Sequence, residues 1–129
     1  KVTPVKLFLV NDVGRIINPL LVEGQIIGGA VQAIGQTLLE EIEYSEDGAL
    51  LTSSFSDYLI PSAVEVPQLV IDWTETPAPN DLGTKGVGEL ATIGLAQAIT
   101  NAVEDALSHK VKVDITPLTP NNLYHISKV

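Results

Sequence analysis

One acid stands where an acid could do chemistry. The stretch Gly83-Thr84-Lys85-Gly86-Val87-Gly88-Glu89 packs three glycines ahead of Glu89, and an apolar, alanine-rich helical pattern starts at Leu90. Glycine lets backbone approach a ligand closely, or take positive φ, at little steric cost. A helix opening just after such a loop offers unpaired N–H groups and a positive dipole end, which keep an acid ionised. Glu89 is therefore either a helix-start acid or a base aimed into a pocket. Composition alone favours the first reading, because acids are enriched in the first turn.

A second set of residues suits binding. Within a long helical pattern from Leu20 to about Glu41, Gln25, Gly28, Gly29, Gln32, Gly35 and Gln36 recur at spacings of three and four. That spacing puts all six on one helix face. Val22, Ile26, Ala30, Ile34 and Leu38 line another, the ordinary core face. Each interior glycine costs about 1 kcal/mol against alanine, so something must offset it. One reading is a ligand or backbone lying against the helix, with the glutamine amides as donors and acceptors. The other is close packing against a neighbouring element, with the glutamines solvated. The residues alone leave both open. Asp57-Tyr58 has the character of a pocket wall, but packing is its more ordinary role.

Composition limits the partners. The chain has 129 residues, of which 45% are apolar, enough for the core of one domain or a piece of one. Sixteen acids against seven basic residues give a net charge of -9. That argues against nucleic acid, which calls for a basic face, and against an anionic membrane surface. There is no cysteine, which excludes disulfides, thiolate metal sites and thiol nucleophiles. His109 and His125 show no metal-ligand spacing and read as surface or packing residues. The chain opens at Lys1 without methionine, runs straight into a strand pattern and shows no signal-peptide arrangement. The expectation is a fragment of a longer cytoplasmic chain, with residues 1–129 forming one segment of it.

The elements that must position these residues follow in order. Val5 to Val10 reads as a buried strand, Asn11 to Gly14 as a turn, and Asn18-Pro19 as the cap and first turn of the long helix. Ile42–Tyr44 and Ala49–Thr52 read as a hairpin about the turn Ser45–Gly48, and residues 53–67 as loop. Leu69 to Thr74 reads as a strand, with Trp73 on its other face or at an edge. Leu90 to Leu107 reads as a second long helix with Leu95, Ile99, Ala102, Val103 and Ala106 inward. Val111 to Ile115 alternates like a strand, and Thr119-Pro120 caps a short helix over 121–127. The fold class is α+β: a mixed sheet with two long helices and a short C-terminal helix.

Three ordered stretches carry more than local information. They are Asp12-Val-Gly-Arg-Ile-Ile-Asn-Pro19 with Glu23-Gly-Gln25, then Gly28-Gly-Ala-Val-Gln-Ala-Ile-Gly-Gln36, then Leu82-Gly-Thr-Lys-Gly-Val-Gly-Glu89 with Thr92-Ile-Gly94. Together they resemble the C-terminal part of the molybdenum-binding (large) subunit of the xanthine dehydrogenase / aldehyde oxidase / carbon monoxide dehydrogenase family. Asp57-Tyr58 with Pro61 and the closing Pro117-Leu-Thr-Pro120 are similar to that family's pattern too. Val13 stands where many relatives have cysteine.

The resemblance implies a fragment of a molybdopterin-binding domain. It implies a hydroxylase that oxidises a small substrate, an aldehyde first among the candidates, with water as the oxygen source. The cofactor would be molybdenum-molybdopterin in its cytosine dinucleotide form, with iron–sulfur and FAD centres on other domains or subunits. The family's GVGE glutamate matches Glu89, whose implied role is general base toward the hydroxyl that attacks the substrate. The family's pterin-contacting helix glutamine matches Gln32. Gly28, Gly29 and Gly35 would let the cofactor approach that helix, and Gly86, Val87 and Gly88 would present backbone to it. Partners would be the remainder of the large subunit and the iron–sulfur and flavin subunits, and self-association of the isolated fragment is expected. The isolated fragment is expected to be inactive. Purines, other N-heterocycles and carbon monoxide are the other candidate substrates. The competing reading is a non-catalytic interaction domain, or remnant of the family, that docks on partner chains. A nucleotide-binding loop of another kind fits poorly, since neither GxGxxG after a strand nor GK[ST] is present.

Overall fold

Alternation decides the first strand. In β1 (Lys6–Asp12) Leu7, Leu9 and Asn11 turn inward, while Lys6, Phe8 and Val10 stay exposed. In β2 (Gln68–Thr74) Leu69, Ile71 and Trp73 turn inward in the same way. The two strands pair in parallel, in register from Lys6↔Gln68 to Asp12↔Thr74. A parallel pair needs a long crossover, and here residues 13–67 make it, including α1 (Pro19–Leu38). The computed structural model describes residues 1–108 and 111–128.

Helix α1 begins as its sequence dictates. Asn18 is extended, its side-chain oxygen accepts from Leu21 N at 3.3 Å, and Pro19 fills the first position, where no N–H is needed. Ile26, Ala30, Ala33, Ile34 and Leu38 form its buried stripe. Buried Thr37 satisfies its hydroxyl by donating to Ala33 O at 2.6 Å. The helix stops at Leu38, short of the expected Glu41, because Leu39 N and Glu40 N both turn back to Gly35 O. Helix α2 (Leu90–Ala106) lays Ala91, Leu95, Ile99 and Val103 into the same core. Short α3 (Pro120–Ile126) is capped by Thr119, whose hydroxyl oxygen accepts from Asn122 N at 3.2 Å. The segment before it is pinned to the end of α1 by Leu118 N donating to Thr37 O at 2.7 Å, with the Leu118 side chain buried.

The α+β class holds, but the sheet is smaller than expected. Among the described residues it is two parallel strands, not a mixed sheet. The expected hairpin over 42–52 shrinks to one bridge, Tyr44↔Leu50, beside a Ser45 turn closed by its own hydroxyl. Val111–Ile115 keeps its alternation yet forms no strand. A strand exists only as half of a ladder, and here Val113 N donates to the Glu104 carboxylate instead, at 2.6 Å. Trp73 lies on the inner side of β2 with Leu69 and Ile71, not on the other face. Ala102 and Ala106, expected in the core, are exposed. His109 lies outside the described residues. His125 stands on α3 edge-on to Tyr124, ring centroids 5.8 Å apart. No described helix is long and apolar enough to cross a membrane.

Candidate functional site

The end of β1 and the glycine stretch are built against each other. After Asp12 the chain runs beside residues 83–85: Arg15 N donates to Gly83 O at 2.8 Å, and Gly14 bridges Thr84. Gly14 has φ +63°, and a Cβ there would stand 2.7 Å from Gly83 O, so only glycine fits. Asn80 organises the approach, donating to Thr84 O at 2.9 Å and accepting from Leu82 N and Thr84 N.

Asp12 then joins three segments. One carboxylate oxygen accepts from Gly14 N and Thr76 N, each at 3.1 Å. The other meets Lys85 Nζ at 2.7 Å. The Lys85 ammonium, helped by those two backbone donors, holds the Asp12 carboxyl far below the usual carboxylate range.

Glu89 occupies the N-cap position of α2, with φ −124° and ψ 18°. Its side chain is exposed and makes no capping hydrogen bond. Its carbonyl is used instead, accepting from Thr92 N at 3.0 Å and from the Thr92 hydroxyl at 2.6 Å. The plain capping role open to a helix-start acid is therefore not the one its carboxylate takes. Just before it, Gly88 O accepts from Gln25 Nε2 of α1 at 3.1 Å. The glycine loop is thus tied to β1 at Lys85 and to α1 at Gly88.

The expected Gly/Gln stripe divides in two. Gln25, Gly28, Gln32 and Gln36 are exposed, whereas Gly29 and Gly35 are buried. A Cβ on Gly29 would stand 3.1 Å from Ala91 Cβ, and one on Gly35 would stand 2.9 Å from Pro61 Cδ. Those two glycines let α2 and the 61 loop close onto α1. Around Gly28, Gly86 and Gly88 a Cβ would meet nothing within 4 Å, and none of the three has positive φ. Neither packing nor backbone conformation within the described residues accounts for glycine at these positions. The open glycines and the exposed glutamine amides, with half-buried Val87 between Gly86 and Gly88, form a polar set that suits a flat, heteroatom-rich ring system. It asks for no thiolate, in keeping with a chain without cysteine.

The structure thus brings Glu89, Gly86, Val87 and Gly88 together with the first turns of α1. Gln32 and Gly28 lie on the same exposed side of that helix, and Gly29 lies beneath it. Residue-by-residue reading missed Asp12, Lys85 and the particular role of Gln25. No spacing rule links positions 73 apart, and Gln25 does not differ in type from Gln32 or Gln36. Asp57 and Tyr58 are structural here: Ser54 Oγ donates to Asp57 at 2.7 Å, and Tyr58 OH donates to Glu40 at 2.8 Å. The Glu40 carboxylate and partial burial raise the Tyr58 pKa, Glu40 contributing most.

The acid at the start of α2 stands beside Gly86 and Gly88, where an added Cβ would meet nothing, and α1 carries Gly28, Gln32 and Gln36 exposed. Residues 1–67, just over half of the chain, match the profile of the molybdopterin cofactor-binding domain, and the chain belongs to that family. It is 47% identical, over 88% of its length, to the gamma subunit of the 6-hydroxypseudooxynicotine dehydrogenase complex of Paenarthrobacter nicotinovorans. It is 41% identical, over 78% of its length, to the carbon monoxide dehydrogenase large chain of Afipia carboxidovorans. Its fold superimposes on quinoline 2-oxidoreductase of Pseudomonas putida 86 with a TM-score of 0.91 and 46% identity, covering 96% of this chain. It spans 15%, 13% and 16% of these three proteins respectively.

Proposed function

We infer that the chain forms one wall of the active site of a molybdenum-dependent hydroxylase and supplies its general base. The observation that carries this reading is Glu89: a carboxylate at a helix start, free of any capping bond, on a loop whose neighbouring glycines face open space. When bound, the cofactor supplies the oxidation and the activation of water. Glu89 takes the proton from the attacking hydroxyl, a task that needs a carboxylate within hydrogen-bond reach of that oxygen. Gly86, Val87 and Gly88 offer backbone to the cofactor, and Gly28 leaves room for it beside the amide of Gln32. Gly29, packed under Ala91, brings the start of α2 close to α1. The cytosine dinucleotide form is the proposed cofactor.

The proposed substrate is a small aldehyde. A second reading, oxidation of an aromatic N-heterocycle, is favoured by the names of similar proteins, among them nicotine 6-hydroxylase and quinoline 2-oxidoreductase. A substrate panel on the whole enzyme separates the two. The rest of the large subunit is proposed to cover the outer side of β1, where Phe8 and Val10 are 70% and 68% exposed. The iron–sulfur and flavin centres are assigned to other domains or subunits. An isolated fragment with that face bare is expected to self-associate, which size-exclusion mass measurement checks.

The deciding experiment compares the whole enzyme with its Glu89→Gln variant for molybdenum and pterin content and for turnover. The expected result is full cofactor content with turnover reduced about 10²- to 10⁴-fold. Turnover that survives with metal in place makes Glu89 a helix-start acid only. An enzyme without molybdenum leaves the interaction-domain reading.

A further inference from the structure

The Asp12–Lys85 ion pair is one of several ties between the end of β1 and the glycine stretch. The glycine stretch is already held to β1 by backbone, through Arg15 N to Gly83 O at 2.8 Å and the Gly14–Thr84 bridge. Beyond Lys85 that support ends. The next residues are Gly86, Val87 and Gly88, two of them glycines with open space around them, and then Glu89. A segment of this kind resists displacement weakly, since glycine backbone has the widest conformational range. Where Glu89 stands therefore depends on the anchors at the two ends of the segment. At the far end the anchor is Gln25 Nε2 on Gly88 O, at 3.1 Å. At the near end Lys85 is held twice, by its backbone N on Val13 O at 3.4 Å and by Nζ on Asp12 at 2.7 Å.

Asp12 is itself immobilised. Its other oxygen is taken by Gly14 N and Thr76 N, so the carboxylate that receives Lys85 is fixed by the exits of both strands. The pair is not a buried one, with side chains 34% (Lys85) and 36% (Asp12) exposed, so as an isolated surface contact it adds little to global stability. Its geometry suits placement better than it suits cohesion.

The geometry points to Lys85, held by Asp12, as a positioning residue for Glu89: the pair sets the register of the Gly86–Gly88 segment and through it the location of the base. This rests on Glu89 being the base. Lys85 touches no reacting atom and acts only through that carboxylate.

The test is a double-mutant cycle in the whole enzyme, combining Lys85→Met with Glu89→Gln and measuring single-turnover rate at saturating substrate, KM, molybdenum content and thermal midpoint. The expected result is a rate loss of about tenfold from Lys85→Met when Glu89 is present, since small misplacements of catalytic groups cost on this scale. KM and metal content stay the same, and in the Glu89→Gln background the further loss is absent. Lys85→Arg keeps the charge and restores most of the rate, and Asp12→Asn reproduces the Lys85→Met loss. Three results overturn the inference: no loss from Lys85→Met, an equal loss in both backgrounds, or a loss that tracks lost metal. If Lys85→Met does not fold, Asp12→Asn takes its place in the cycle and is judged in the same way. A Glu89→Gln enzyme that turns over at the parent rate overturns the base reading itself, and the inference with it. That outcome is distinct from a collapse in Glu89→Gln beside an unaffected Lys85→Met.

Discussion

Gly28 and Gly29 are neighbours in one helix and serve opposite sides of the molecule. Gly29 is buried, with Ala91 of α2 standing where a side chain would begin. Gly28 is exposed, with nothing near it. Both carry the same penalty of about 1 kcal/mol relative to alanine in a helix. For Gly29 the close approach of α2 offsets that penalty inside the chain. For Gly28 nothing inside the described chain does; Gly86 and Gly88, in the loop before α2, also have nothing where a Cβ would stand. A glycine explained by packing says something about the fold. A glycine that packing does not explain, such as Gly28, has no reason inside the described chain.

This contrast is open to direct attack. The largest effect is expected on the packed side at Gly35, where an added Cβ would meet the Glu40 carboxylate first and then the Pro61 ring at 2.9–3.0 Å. Gly35→Ala is expected to lower the stability of the whole enzyme by about 1–3 kcal/mol, the usual scale of overpacking, and a thermal or denaturant midpoint reads it. An unchanged midpoint means the Pro61 loop moves aside freely and the packed side is looser than described. On the open side, Gly28→Ala is expected to do the reverse. It should stabilise the helix by about 0.5–1 kcal/mol while lowering molybdenum content or turnover, because the new methyl occupies space meant for something else. A gain in stability with cofactor and turnover intact makes that face plain solvent surface and removes the contrast.

The smallest effect concerns the anchor of the glycine loop. The Asp12 carboxyl is depressed below its ordinary value of 3.8 by Lys85 first, then by the backbone of Thr76 and Gly14. A depressed carboxylate contributes stability that is complete above the unfolded-state pKa and is lost as pH falls through the folded one. Asp12 is therefore expected to leave stability flat around neutrality and to weaken it progressively as pH falls through the ordinary value of 3.8 toward the depressed folded one. Comparing midpoints of the parent and Asp12→Asn between neutrality and strong acid checks this. The variant should lose the advantage at neutral pH and show a shallower acid limb. An acid limb identical to the parent's means the pair contributes nothing measurable to stability.

Much of the frame was legible. Asn18-Pro19 and Thr119-Pro120 announced two helix starts because capping is chemistry between residues a few positions apart. Ile26, Ala30, Ile34 and Leu38 announced a core stripe because helical periodicity is local as well. The failures share one cause. Val111–Ile115 alternates but lacks a neighbouring ladder, Ala102 and Ala106 are apolar but face outward, and Trp73, expected on the other face or at an edge, stands on an edge strand with its ring turned inward. Each depends on what stands opposite, which local pattern does not contain.

The amino-acid sequence by itself determined the two long helices, the strands that flank α1, the single acid at the end of a glycine loop and the absence of any thiol ligand. These follow from residue type and short-range spacing. Only the tertiary structure decided that the Gly/Gln stripe is two faces rather than one, that Gln25 and not its look-alikes reaches the Glu89 loop, and that Asp12 receives Lys85 from 73 positions away. The reason is geometric. Helical spacing places a residue on a side, but whether that side meets a neighbouring helix, a loop or open space depends on how distant segments close on one another.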